Sequence, residues 1–327
     1  MRLDSITRSW MLPSRASARL RRMAIETNSG GREKQAAALN SVGAALALTA
    51  GKVIVGVATG SLGILAEAAH SGLDLAAAVM TYGAVRISGR PADPGHRYGH
   101  GKVENLSALG ETLLLLLTCA WIIYEALHRL LTHRVDVEVT VWSFAVMAAS
   151  IVVDVSRSRM LYRVARRHNS HALEADALHF STDIWSSSVV LVGLVCVVIA
   201  DRVPSLAFLR DGDAIAALGV AVIVIWISGQ LGWKTVQALI DAAPEGLEER
   251  IRSAAESVPG VSDCHNIRAR YSGAQLFVDV HVTMDGGQTL RQAHALTEET
   301  ERAIQRVVEG ADVTVHPEPS EAATNPG

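Results

Sequence analysis

Apolar residues crowd the stretch from about residue 38 to residue 240 and thin out beyond it. Within that stretch they do not alternate as strand residues do. They run on for about twenty residues at a time, the length a helix needs to cross a bilayer. Six spans are predicted, at 38–59, 62–87, 105–130, 140–163, 174–200 and 213–236. Gly43, Gly51, Gly56, Gly63 and Gly72 recur through the first two, which suits close helix packing in lipid. After Asp241 the pattern changes. Residues 245–257 are charged with a helical period that stops at Pro259-Gly260. Residues 266–271 and 276–283 read as strands around a Ser272-Gly273 turn. Leu276, Val278, Val280 and Val282 face one way there, and Asp279 and His281 the other. An amphipathic helix over 289–308 and a short strand over 311–316 complete the pattern. The expected fold is an α-helical membrane protein with six transmembrane helices, plus a small α+β domain of order α-β-β-α-β with its helices on one face of the sheet.

Charge orients this arrangement. Residues 1–37 carry Arg2, Arg8, Arg15, Arg19, Arg21, Arg22, Arg32 and Lys34 without an apolar run, so they read as a mobile basic leader rather than a signal peptide, with Met23 an alternative start. Arg90, Arg97 and Lys102 follow the second span, and Arg157, Arg159, Arg163, Arg166 and Arg167 mark the end of the fourth. The opposite loops are poorer in basic residues, holding Arg129 and Arg134, then Arg202 and Arg210. Basic residues in the even-numbered loops place both termini in the cytoplasm. The expected division is a leader at 1–37, a membrane domain at 38–240, a cytoplasmic domain at 241–318 and a disordered tail at 319–327. A net charge of −3 over 327 residues gives no support for nucleic-acid binding. Cys119, Cys196 and Cys264 are too few and scattered for a disulfide framework. The first two are expected to pack in apolar runs, and Cys264, beside His265, is either a soft ligand or a buried small side chain.

Two copies of one spacing stand out in the second and fifth spans: His70-x-x-x-Asp74 and His179-x-x-x-Asp183. Residues four apart lie on one helix face, about one turn and 40° apart. An Asp at the bilayer centre costs roughly 2.5–3.5 kcal/mol on insertion scales, so two of them need a reason to be there. If the helices face each other, two imidazoles and two carboxylates form a cage of the kind tetrahedral Zn2+ accepts. The competing reading is two unrelated polar contacts between helices. Asp154 lies in the fourth span with Ser150 one turn before it and Arg157 nearby; it either lines a wet route to the cage or pairs with Arg157.

Several strings bear a family likeness: Gly63-Ile64-Leu65-Ala66-Glu67-Ala68-Ala69-His70-Ser71-Gly72-Leu73-Asp74, the loop from Pro91 through Asp93, His96, Arg97, Tyr98, Gly99, His100 and Gly101 to Lys102, and Glu174-Ala175-Asp176-Ala177-Leu178-His179. With six spans and an α/β tail, the chain resembles the cation diffusion facilitator family over about residues 33–318. That resemblance implies a transport site at His70, Asp74, His179 and Asp183, a loop metal site at Asp93, His96 and His100, and a two-metal site at a dimer interface from His265, His281, His294, His316 and Glu318. Glu318 and Asn266 stand where the family usually has Asp. The competing reading of the loop histidines is that they cap the third helix, and that of the tail histidines is plain solvation. The resemblance also implies an ion pair between Lys102 and Asp241 that links the third and sixth helices across a dimer; otherwise Lys102 meets lipid headgroups and Asp241 caps a helix. A long His-rich loop between the fourth and fifth helices is absent, with only His168 and His171 there.

Many bacterial members carry two carboxylates on the second helix, whereas this chain has His70 first. A second imidazole favours zinc over manganese, which prefers oxygen donors; Co2+, Cd2+ and Fe2+ stay open. The resemblance therefore implies a homodimeric, non-enzymatic antiporter of the bacterial inner membrane that exports divalent cations, zinc foremost, against protons. Two rivals are a membrane-anchored metal sensor or scaffold that binds zinc without moving it, and a membrane metallohydrolase. The latter needs an open coordination position and a general base, and no His-Glu-x-x-His string is present.

Overall fold

The computed structural model describes residues 15–60, 62–132, 141–202 and 212–320. Six long helices come first: α1 (Arg15–Thr59), α2 (Leu62–Ser88), α3 (Lys102–Thr132), α4 (Val141–His168), α5 (His171–Arg202) and α6 (Gly212–Leu239). Among the described residues three stretches are long and apolar enough by themselves to cross a membrane: Gly30–Ala58, Lys102–His128 and Leu218–Leu239. The other three helices, α2, α4 and α5, are equally long. They are diluted by Glu67, His70 and Asp74, by Asp154, Arg157 and Arg159, and by Glu174, Asp176, His179 and Asp183. Polar content is thus concentrated in the helices that build the site. The outward surface is apolar, with Leu73, Leu117, Trp121, Val152, Trp185 and Trp226 all exposed, as a lipid-facing surface requires.

α1 packs on α2, α4 on α5, and α3 on α6, while α5 also touches α2, α3 and α6. α1 begins at Arg15, well before the predicted start at 38, so the part of the leader from residue 15 is helical rather than mobile. Two residues lock the helix to the bundle. Glu33 pairs with Arg167 at 2.8 Å and His168 at 3.0 Å, and Lys34 Nζ donates to Glu104 Oε1 at 2.5 Å. Glu104, fully buried, also accepts from Ser88 at 2.6 Å and from Ser170, so one carboxylate gathers α1, α2, α3 and the α4–α5 junction. Residues 1–14 of the expected leader and 321–327 of the expected disordered tail lie outside the described residues.

The tail comprises α7 (Leu247–Glu256), β1 (Val261–Ser272), β2 (Gln275–Met284), α8 (Leu290–Val307) and β3 (Asp312–Pro319), the predicted order. β1 and β2 pair antiparallel, and β2 and β3 parallel. The alternation read in β2 is realised, with Leu276, Val278, Val280 and Val282 buried against Ile251, Ile304 and Val313. Cys264 belongs to this core, where burial pushes its thiol up to about 11; it packs and is not a ligand. β3 runs to Pro319, and Ser320 N donates to Met284 O at 2.7 Å, so order extends past the expected boundary at 318.

The tail's β1–β2 hairpin docks on the loop before α3. Arg270 lies over the Tyr98 ring at 4.0 Å, Phe277 meets that ring edge-on at 5.1 Å, and Ser272 Oγ donates to Tyr98 O. Gly101 and Gly273 make this approach possible. A Cβ on Gly101 would strike the Ser272 carbonyl, and Gly273 holds φ +62, which only glycine adopts freely. Lys102 Nζ is 2.9 Å from Asp241 Oδ1 and donates to Leu239 O at 3.0 Å, holding the Asp241 carboxyl below its usual range. This pair ties α3 to the end of α6 within one chain, whereas the expectation was a link across a dimer.

Candidate metal centre

Helical geometry brings the two four-residue spacings together. α2 and α5 cross with their polar faces opposed, and His179 Nε2 lies 3.1 Å from Asp74 Oδ1 and 3.6 Å from Asp183 Oδ2. His70 Nε2 is 3.8 Å from Asp183 Oδ1. A tetrahedral zinc with bonds of about 2.0 Å spaces its ligand atoms about 3.3 Å apart, so these separations need little adjustment. The four are not equivalent. Asp74, His179 and Asp183 are nearly enclosed and put one donor atom each within 4.8 Å of one another, while the His70 side chain is 41% exposed and stands at the rim.

A cavity of about 60 Å3 opens from the cage, lined among others by Lys52, Glu67, Met147, Ser150, Asp154 and Ser187. Lys52 is near the end of α1, Glu67 near the start of α2 and Met147 near the start of α4, all at the bundle end remote from the tail. Lys52 Nζ, buried, donates to Ser71 Oγ at 2.7 Å and Glu67 Oε2 at 3.2 Å. On the tail side the way is filled. Arg157 lies 3.5 Å over the Phe180 ring, and Phe180 packs with Leu161, Val164, Leu173 and Ala177. The cage is therefore open away from the tail and closed toward it. Asp154 lines the cavity and also accepts from Arg157 Nη1 at 3.4 Å, the pairing that was one of its two expected roles.

Asp93, His96 and His100 meet in the α2–α3 loop. His96 Nδ1 is 3.2 Å from Asp93 Oδ1, and His100 Nε2 is 3.3 Å from Asp93 Oδ2. Asp93 Oδ1 also accepts backbone N–H bonds from His96 at 2.7 Å and Gly95 at 2.9 Å. These bonds, the His96 amide first, hold its carboxyl below the usual range, which keeps it charged and ready for a cation. The three could hold one ion with room for water.

In the tail, sheet register does the assembling. His265 pairs opposite His281, and His281 opposite His316, so three imidazoles stand in a row across β1, β2 and β3. Glu318 reaches back to two of them, with Oε1 2.7 Å from His281 Nδ1 and Oε2 3.2 Å from His265 Nε2. The His281 and His316 rings lie 4.7 Å apart, and both line a cavity of about 290 Å3 with Asn266, Arg268 and Asp279. His265 Nδ1 is 2.7 Å from Asp263 Oδ2, a hydrogen bond that raises the imidazole pKa; the bond from His281 lowers that of Glu318. His294 does not join this group. α8 turns Thr297, Thr300, Ala303 and Ile304 inward, leaving His294 73% exposed beside Glu298 at 3.6 Å.

Sequence reasoning did not single out Lys52, Glu67, Glu111 or Asp176 as chemistry-bearing. Glu111 and Asp176 are fully buried. The available signal was an acidic residue inside an apolar helix, as in Leu109-Gly110-Glu111-Thr112-Leu113.

Comparison with known proteins agrees with this architecture. Residues 38–240 match the cation efflux transmembrane domain, and residues 243–320 the cytoplasmic domain of cation efflux proteins. The chain is 32% identical to the cation-efflux pump FieF of Salmonella arizonae over 298 residues, covering 88% of this chain and 94% of the relative. It is 30% identical to FieF of Pectobacterium atrosepticum, covering 88% and 93%. The tail is similar to a solved cadmium form of the MamM CTD, at 32% identity over 24% of this chain and 98% of that one, with a TM-score of 0.23. Matches over both domains define a transporter of the cation efflux class. The chain belongs to the cation efflux family.

Proposed function

We propose that this cation efflux protein is a homodimeric antiporter that exports divalent metal ions, zinc foremost, in exchange for protons, from the cytoplasm across a bacterial inner membrane. The observation that carries the reading is the placement of His179 Nε2 between two carboxylates of different helices, 3.1 Å from Asp74 and 3.6 Å from Asp183. One divalent ion neutralises two ionised carboxylates, which lowers the cost of holding it at membrane depth. Two nitrogens among four donors favour zinc over manganese, and cobalt, cadmium and iron(II) are compatible with the same set.

Imidazole binds metal only when neutral, so protons and metal compete for His70 and His179. With the tail in the cytoplasm, as the basic loops support, the cage open away from the tail is the releasing state. Protons entering along the cavity past Lys52 and Glu67 displace the ion. The Arg157–Phe180 layer must then part to admit the next one from the tail side. The loop and tail clusters are the regulatory metal sites on this reading, with His265, His281, His316 and Glu318 in the tail, and the β1–β2 hairpin passes their state to α3 through Gly101. His294 joins the tail site only if a partner protomer brings it there.

A sensor or scaffold needs the tail cluster but not an enclosed intramembrane cage, which favours transport. The test is metal flux by the purified dimer in liposomes. Asp74→Ala and Asp183→Ala each abolish zinc flux on this reading while the dimer stays intact. Wild-type-like flux from either would refute the site.

A further inference from the structure

Two buried carboxylates have no part in the cage. Glu111 on α3 and Asp176 on α5 are both 0% exposed, at the level where Ala108 of α3 packs on Ala175 and Leu178 of α5. Each carboxylate is half satisfied. Thr81 of α2 donates to Glu111 Oε1, and Ser41 of α1 donates to Asp176 Oδ2 at 3.2 Å. The other oxygens, Glu111 Oε2 and Asp176 Oδ1, are buried with no hydrogen-bond partner among the described residues. An ionised carboxylate in such a place costs several kcal/mol unless paired, and two of them cannot both stay charged near each other.

The neighbouring charges do not relieve them. Arg157 of α4 is the cation that acts on Asp176, and its guanidinium is already shared: Nη1 donates to Asp154, and Nη2 to Ser41 at 3.1 Å. The charged groups near enough to act on Glu111 are Asp176 and His179 of α5, and Asp183 acts on Asp176 as well. His179 Nδ1, on the ring side away from the cage, is itself buried without a partner. One guanidinium is thus shared between Asp154 and Asp176.

We propose that Glu111 and Asp176 form a proton-binding site separate from the metal cage, holding one proton between them on its tail-facing side. This rests on the proton-coupled reading above. In the step, a proton bonds to one of the two unpartnered oxygens, Glu111 Oε2 or Asp176 Oδ1, and neutralises that carboxylate; metal arrival in the cage adds positive charge near the pair, and the O–H bond breaks with the proton passing to water on the tail side. The exchanged proton is then carried by two groups that never touch the metal, and the histidines need not titrate alone.

The experiment uses the full-length protein in liposomes loaded with a pH-sensitive dye, with zinc flux and proton movement recorded together between pH 5.5 and pH 8. Glu111→Gln keeps an acceptor for Thr81 and removes the titration. It is expected to bind zinc within about threefold of wild-type affinity in solution, while moving about one proton fewer per zinc and showing a flatter pH profile. Asp176→Asn should act alike. Thr81→Val leaves both acids but removes a bond that favours the ionised form, so its flux profile should move to higher pH. A wild type that moves protons, with Glu111→Gln and Thr81→Val both giving wild-type proton counts and profiles, overturns the inference alone. A wild type that moves zinc with no protons overturns both the inference and the antiport reading beneath it.

Discussion

His179 and Asp74 stand 105 residues apart in sequence and 3.1 Å apart in space, joined across α2 and α5. Each also has a partner four residues away on the same face of its own helix, Asp183 for His179 and His70 for Asp74. The enclosed members of the cage should therefore be the costly ones to lose. Asp74→Asn keeps the volume and removes a charged ligand, and we expect at least about a 100-fold fall in zinc affinity, beyond the 10–100-fold typical of a supporting residue. Calorimetry on the detergent-solubilised dimer measures it, provided the tail and loop sites are silenced together in the background. A loss of less than about tenfold would mean that Asp74 only orients His179.

His70 has a different standing. At the rim and 41% exposed, it is the ligand whose identity can change without rebuilding the cage. His70→Asp replaces a nitrogen with a hard oxygen, so transport of Mn2+, which prefers oxygen donors, should rise relative to Zn2+ by about tenfold. Competition curves for the two proteins decide the point. An unchanged metal ranking would assign selectivity to the enclosed three.

Much of this arrangement was legible in the chain before any coordinates. Spacing of four on a helix fixes a shared face whatever the tertiary packing, so His70, Asp74, His179 and Asp183 could be chosen from the sequence. Alternation in β2 likewise fixed which face carried His281. Strand register was not legible. That His265, His281 and His316 fall in one row depends on how three strands align, with a bulge between His265 and Arg268, and no local pattern encodes it. The helical stretch of α1 before residue 38 was missed because its stabilisation comes from Arg167, His168 and Glu104, all remote in sequence.

The tail should respond to pH in opposite senses with and without metal. In the metal-free tail the Asp263 bond raises the His265 pKa, so protonated His265 stabilises the fold fully below the unfolded value of about 6.5. That contribution fades as pH rises through the higher folded value. Zinc needs the same imidazole neutral, so its affinity should fall with acidification starting above pH 6.5. Residues 241–320, which enclose their own core, should dimerise and bind zinc at about micromolar strength. The combined variant His281→Ala, His316→Ala should lose that binding and lower full-length flux only partly. Thermal melts of the tail from pH 6 to pH 8, with and without zinc, give both readouts. A metal-free midpoint that climbs across this range, or no zinc shift at all, would return these histidines to solvated surface.

The close approach of the tail hairpin to the membrane domain depends on two glycines, Gly101 and Gly273. Gly101→Ala places a Cβ against the Ser272 carbonyl and should push the hairpin off Tyr98 and Phe277. We expect a lower thermal midpoint for the full-length dimer and faster proteolysis between residues 240 and 246, with the isolated tail unaffected because Gly101 lies outside it. Equal protease resistance of variant and wild type would show that the hairpin contact contributes little.

The central claim is that metal leaves through the α2–α5 cage as protons take its place. The most direct measurement is simultaneous zinc and proton flux in liposomes at graded pH, for wild type and for His179→Asp. That variant keeps a ligand oxygen at the centre of the cage and replaces an imidazole, whose ordinary pKa is about 6.5, with a carboxyl, whose ordinary pKa is about 4. Coupled counter-movement is expected in the wild type, and in the variant residual zinc flux whose pH dependence has shifted to lower pH. Zinc movement with no opposing protons in the wild type, or superimposable pH profiles for the two proteins, would contradict it.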